Sequence, residues 1–291
     1  MTGGLDESDM VTNETKSPIG WQTAPNEHSL FQMLRWSMNL FRIRGIQLAV
    51  HGSFFLLLAY YAWWGWTHAG AVGAVWSVAM VLAFFACVVL HELGHSFTAR
   101  RFGVNVRRIL LMPIGGMAEF DSIPRQPRSE LLITLAGPAM NFAIAALLAI
   151  FVRFPGGILQ WDPTGLPLGL GELGRHLLAA NLVMGCFNLI PVFPMDGGRI
   201  LRALLVMRLS YLDATFWAMS IGKVLALMAA AAALYIAIEV DQSYYIVVML
   251  FVFILAAGDA EYRHVKRSDA EKAHWAETLR RLYREPPLLH P

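Results

Sequence analysis

The chain is short of charge. Asp, Glu, Lys and Arg make up 15% of its 291 residues, against 56% hydrophobic ones. An ordinary soluble domain carries about 25% charged residues, so that class is excluded. The formal net charge is only +2, too small for a nucleic-acid-binding surface, and no nucleic-acid partner is expected. Cysteine is scarcer still. Cys87 and Cys186 both lie in apolar stretches, which excludes a disulfide framework. Residues 1–28 lack any apolar core, so no cleavable signal peptide is read there. They are rich in Gly, Ser, Thr, Asn and acids and are expected to be a disordered cytoplasmic N-terminus.

What is abundant is long apolar runs. A bilayer needs roughly 20 apolar residues per helix. Runs at about 46–66, 71–99, 130–152, 174–194, 214–238 and 244–260 meet that need. The expected fold class is therefore an all-α polytopic membrane protein with six transmembrane helices, occupying 46–262. Between helices two and three, Val106–Phe120 (VRRILLMPIGGMAEF) reads as a short membrane-associated β-hairpin around Gly115-Gly116. Residues 29–45 mix apolar side chains with Arg35, Arg42 and Arg44 and are expected to form an interfacial amphipathic helix, with a plain lead-in to the first span as an equal alternative. The tail 263–291 is expected to be cytoplasmic and partly helical. Ser268 or Asp269 would cap its helix, and Trp275, Leu279 and Leu282 would form its apolar stripe.

The connections alternate in charge. Segment 100–128 carries six arginines and segment 196–213 carries Arg199, Arg202 and Arg208. The turn at 67–70 has no charged residue, and 239–243 has Glu239 and Asp241 but no base. By the positive-inside rule both termini are cytoplasmic. The expected location is a multi-pass protein of a prokaryotic plasma membrane.

The chemistry enters at His91-Glu92-Leu93-Gly94-His95, where a charge-free apolar run ends. Ionisable groups are costly at membrane depth and mark function. Histidines four apart share one helix face, so both imidazoles can hold one zinc ion. Zinc lowers the pKa of water to about 7, and Glu92 stands where it can take the proton and deliver hydroxide to a carbonyl. A third ligand is needed. Cys87 is on the same face, but the rise from 87 to 95 is about 12 Å, too far for all three to share an ion. Glu119 and Glu130 lie downstream. Asp196, after Pro191 and Pro194, returns to the level of the histidines, and on topology alone a ligand role and a helix N-cap role are equal for it.

Three motifs together resemble the site-2 protease family of intramembrane zinc metalloproteases. They are HELGH, Gly137-Pro138-Ala-Met-Asn141, and Asn188-x-x-Pro-x-x-Pro-x-Asp196-Gly-Gly, in that order. The resemblance implies one Zn²⁺ per chain, held by His91, His95 and Asp196, with Glu92 as catalytic base. It also implies a transmembrane protein substrate within a lipid bilayer, and a possible regulatory membrane partner. Neither a PDZ-like insertion nor paired nucleotide-sensing domains are expected, from the short connections and the short tail. Asn188, Asn141, Gly115 and Gly116 are candidate substrate or oxyanion contacts. For Asn141, Asn188 and Asn181 interhelical hydrogen bonding competes with that role. His51 either lines a water path or packs. Lys223 and Glu261 either snorkel or pair across helices. Two alternatives share these residues: a proteolytically inactive membrane-protein-binding homologue, and a metal or proton transporter.

Overall fold

The computed structural model describes residues 36–120, 125–152 and 167–284. The expectation for 1–28 falls outside them. The chain enters through two strands, β1 (Ser37–Ile43) and β2 (Ile46–His51). This corrects the interfacial helix expected at 29–45, at least from Ser37 onward; residues 29–35 lie outside the described ones. The physical reason is the two-residue connection: Arg44 and Gly45 both have positive φ, 47° and 89°, the backbone a tight hairpin turn requires. It corrects the first span too, because 46–51 is strand. A short apolar run cannot distinguish strand from helix by pattern alone.

Helix α1 (Ser53–Arg101) follows, and it is not straight. Ala69 and Gly70 leave helical backbone, with Gly70 at φ 59°. The two arms fold back on each other: the rings of Phe54 and Phe85 meet at 4.7 Å, although about 46 Å of helix would separate them in a straight run. The arms cross at glycine. A Cβ on Gly65 would lie 2.3 Å from the Gly73 carbonyl oxygen.

β3 (Val106–Met112) and β4 (Gly115–Phe120) then complete a sheet in the order β1-β2-β3-β4. β2 and β3 are parallel, with Leu48 opposite Ile109 and Val50 opposite Leu111, and the α1 hairpin is their crossover. The expected β-hairpin is thus half of a four-stranded sheet, and the fold is not purely α-helical. Its turn is Pro113-Ile114 rather than the glycines, which open β4. Ile46, Leu48, Val50, Ile109 and Leu111 pack with Phe54, Phe85 and Val88 of α1 into the main core.

The remaining helices are α2 (Pro127–Phe151), α3 (Leu170–Asn188), α4 (Asp196–Val206), α5 (Tyr211–Glu239) and α6 (Tyr245–Arg284). α2 touches α1, α3 and α4, and α5 packs along α6. Span four was expected to reach 194. α3 stops at Asn188, because Pro191 and Pro194 lack the N–H that a helix needs. The tail is not a separate helix: α6 runs unbroken through Ser268 and Asp269. Asp269 pairs with Arg125 at 2.5 Å instead of capping.

Among the described residues, four helices are long and apolar enough to cross a membrane: α1, α2, α5 and the stretch Gln242–Arg281. Large apolar side chains face outward from them, such as Leu56 (73% exposed), Phe151 (76%) and Ile246 (73%). So much exposed apolar surface needs lipid to cover it, and the chain is an integral membrane protein. The α1 crossing gives a test. Gly65→Leu should cost about 3 kcal/mol or more, since it overpacks backbone against backbone. A loss of monodisperse protein in detergent chromatography checks this; an unchanged profile and melting temperature would contradict the crossing.

Candidate metal centre

The second arm of α1 carries His91 and His95 one turn apart, both buried. α2 lies against them. A Cβ on Gly94 would stand 2.6 Å from the Ala136 carbonyl oxygen, and one on Gly137 would stand 2.1 Å from His95 Nε2 and 2.8 Å from His91 Cε1. Gly137 is therefore the groove in α2 that admits the two imidazoles.

Hydrogen bonds from α2 orient both rings. His95 Nδ1 is 2.8 Å from the Ile133 carbonyl oxygen. A carbonyl only accepts, so Nδ1 carries the proton. His91 Nδ1 is 2.5 Å from Asn141 Oδ1. That amide's orientation is set from further away: Asn181 Nδ2 donates to the Leu177 carbonyl at 2.8 Å, and Asn141 Nδ2 donates to Asn181 Oδ1 at 3.1 Å. Asn141 Oδ1 is thereby turned to His91 as an acceptor. Both imidazoles present an unprotonated Nε2 to the same point.

Asp196 completes that point. It opens α4 with Met195 in the cap position and no side-chain cap bond. Its Oδ2 lies 3.4 Å from His91 Nε2 and 3.2 Å from His95 Nε2, and the two Nε2 atoms are 3.1 Å apart. Asp196 Oδ2 is buried without a hydrogen-bond donor. Three lone-pair atoms this close repel unless a cation sits among them. Bonds of about 2.0–2.1 Å to a tetrahedral metal give ligand separations of roughly 3.3 Å, which these distances match. The donor set fits zinc, with a fourth position left over.

Other expected residues are placed as follows. Glu92 is partly buried, and the backbone of Gly116 lies on it: a Cβ there would sit 2.7 Å from Glu92 Cγ. Gly115, at φ 140°, has open space around it. Asn188 ends α3. Glu119 pairs with Arg108 at 2.8 Å, and Glu130 with Arg202, so neither joins the three ligand atoms. Cys87 is a buried free thiol. His51 Nδ1 meets the Ser53 hydroxyl at 2.7 Å where β2 turns into α1. Lys223 pairs across to Asp259 at 2.5 Å, and Glu261 with Arg202 at 3.1 Å. The Ile133 carbonyl and the buried Glu130–Arg202 pair were not foreseen. A backbone acceptor has no sequence signature. The stripe Ile133, Gly137, Asn141, however, repeats the four-residue spacing of His91 and His95, and could have been read as the facing surface.

The family model for peptidase family M50 matches residues 79–159 and 165–229. The chain belongs to that family. It is 42% identical over 195 residues to a zinc metalloprotease of Methanocaldococcus jannaschii, across 67% of this chain and 53% of that protein. A putative zinc metalloprotease of Mycobacterium tuberculosis is 31% identical over 180 residues, covering 59% of this chain and 44% of its own length. The chain thus spans about half the length of the curated relatives it matches. The solved site-2 protease of Methanocaldococcus jannaschii superposes with a TM-score of 0.53 at 36% identity, over 78% of this chain and 95% of that one.

The centre predicts a pattern of zinc content. His91→Ala, His95→Ala and Asp196→Ala should each purify with little zinc, while wild type and Glu92→Gln hold about one per chain. Asn141→Leu keeps all three ligands but frees the His91 ring, and should weaken zinc roughly 10- to 100-fold. Metal analysis with chelator competition reads both effects.

Proposed function

We propose that this chain is an intramembrane zinc endopeptidase that hydrolyses a peptide bond in or near a transmembrane segment of another membrane protein. The observation that carries the reading is the convergence of His91 Nε2, His95 Nε2 and Asp196 Oδ2, each 3.1–3.4 Å from the others, beside Glu92. Relatives named as zinc metalloproteases support it. Zinc, when bound, supplies a Lewis acid that makes water acidic enough to lose a proton near neutral pH.

This chain's own groups do the rest. A Glu92 carboxylate oxygen takes one proton from the attacking water. The resulting hydroxide adds to the scissile carbonyl carbon. Glu92 then gives the same proton to the amide nitrogen as the C–N bond breaks, leaving an acid and an amine. Glu92 must move little between the two tasks, and the Gly116 backbone packed on its stem limits its freedom. Asn188 is the amide we assign to the developing oxyanion. Asn141 acts through His91, whose ring it orients.

A transmembrane helix shields its own carbonyls by internal hydrogen bonds, so the substrate must unwind locally. β4 is an edge strand, and its Gly115-Gly116 end lies at Glu92. An extended substrate segment pairing with that edge would bring its carbonyls to the base. We read the arms of α1 with α2, α3, α5 and α6 as six spans, both termini cytoplasmic, in a prokaryotic plasma membrane. The arginine-rich connections support that orientation. Substrate identity is open to any single-span protein that can unwind there.

Two experiments test the reading. Purified wild type should cleave a single-span substrate, and Glu92→Gln should lose at least about 10³-fold of that rate while keeping its zinc; cleavage that persists in Glu92→Gln refutes the assigned base. In the same inactive variant, Met117→Cys on β4 should crosslink to a cysteine beside the scissile bond of a trapped substrate. Crosslinks confined to the opposite side of the enzyme would refute strand pairing.

A further inference from the structure

Arg202 is among the most buried side chains of the protein, at 1% exposure, and its partner Glu130 is equally buried. Its Nε and Nη2 donate to Glu130 Oε1 at 2.8 and 2.5 Å. Nη1 donates to Glu261 Oε1 at 3.1 Å. The guanidinium carbon also lies 5.2 Å from the Phe193 ring centre and 5.0 Å from that of Tyr211. Burying an ion pair this fully rarely adds stability over an apolar pair of the same volume. Its use must lie elsewhere, and its position says where.

The ligand set comes from two bodies. α2 orients both histidines through Ile133, Gly137 and Asn141. α4, a helix of 11 residues, carries Asp196 in its first turn. A helix this short has little stability or fixed direction of its own. Its first turn is seated on the preceding loop: Cβ atoms on Gly197 and Gly198 would meet the backbone of Ile190 and Phe193 at 2.1 and 2.7 Å. Arg202 lies about 9 Å further along the same helix, and Glu130 sits on the α2 stripe one turn before Ile133 and Thr134. The pair therefore ties the helix that carries the carboxylate to the helix that orients the imidazoles.

We propose that Glu130 and Arg202, braced by Glu261 from α6, form a clamp that holds Asp196 in ligand position. Arg202 and Glu130 are positioning residues: they set the distance between two halves of a metal centre. The proposal rests on the metal-centre reading above.

The test is a double-mutant cycle on zinc affinity, in full-length protein in detergent. Arg202→Met alone leaves a buried, unpaired carboxylate and can fail to fold, so the working variant is Glu130→Leu with Arg202→Met, an apolar pair of similar volume. This double variant should stay monodisperse and melt, metal-free, close to the metal-free wild type. Its zinc affinity, by chelator competition, should fall roughly 10- to 100-fold. Its cobalt-substituted form should show an altered d–d spectrum. In an Asp196→Ala background the same two substitutions should change zinc affinity less than about twofold, because the ligand they position is gone.

Wild-type zinc affinity in the double variant would overturn the clamp. An equal loss in both backgrounds would also overturn it, because the pair would then act on the histidines or on the whole fold. Absence of stoichiometric zinc in wild type would instead overturn the metal-centre reading, and the clamp with it.

Discussion

Three lone-pair atoms facing one point in a dry interior are the constraint on which the structure turns. Two imidazole Nε2 atoms and a carboxylate oxygen, 3.1–3.4 Å apart, repel one another unless a cation lies between them. The rings cannot escape by changing tautomer, because acceptor-only groups on α2 hold both Nδ1 protons. The amide chain from Leu177 through Asn181 to Asn141 carries that restriction across to α3. The fold thus spends buried polar groups on creating a site that prefers a divalent ion.

α2 is the element that makes this possible. It meets the arm of α1 that carries His91 and His95 at backbone distance, through Gly94 against Ala136 and Gly137 against the imidazoles. Small residues at a helix crossing are a general device of membrane proteins, where apolar side chains gain little by leaving lipid. Here the same small residues also make room for ligands. The sheet adds a second layer. Its apolar inner face packs on α1, which places the Gly116 end of an edge strand on Glu92. β4 is an edge of that sheet, and no further strand covers it among the described residues.

Much of this was legible from local pattern. Apolar length located the helical segments, and the four-residue spacing of His91 and His95 put both on one face. The strand identity of 37–51 was not legible. Short apolar runs with interspersed arginines suit a surface helix as well as a strand, and only pairing of β2 with β3, some sixty residues on, decides between them. The unbroken length of α6 was not legible either, because Ser268-Asp269 reads as a helix cap. Tertiary contact uses Asp269 for Arg125 instead.

The order of residues is enough to establish the membrane class, the two histidines with their glutamate, and the resemblance that raises Asp196 above Glu119 and Glu130. These are read from residue type and near spacing, which local backbone geometry enforces. The packed fold is needed to say which nitrogen each histidine presents, what fills the space beside Gly137, and where Glu130, Arg202 and Lys223 find their partners. Those depend on atoms 36 to 72 positions apart in the chain. Packing brings such atoms together, and no local periodicity records it.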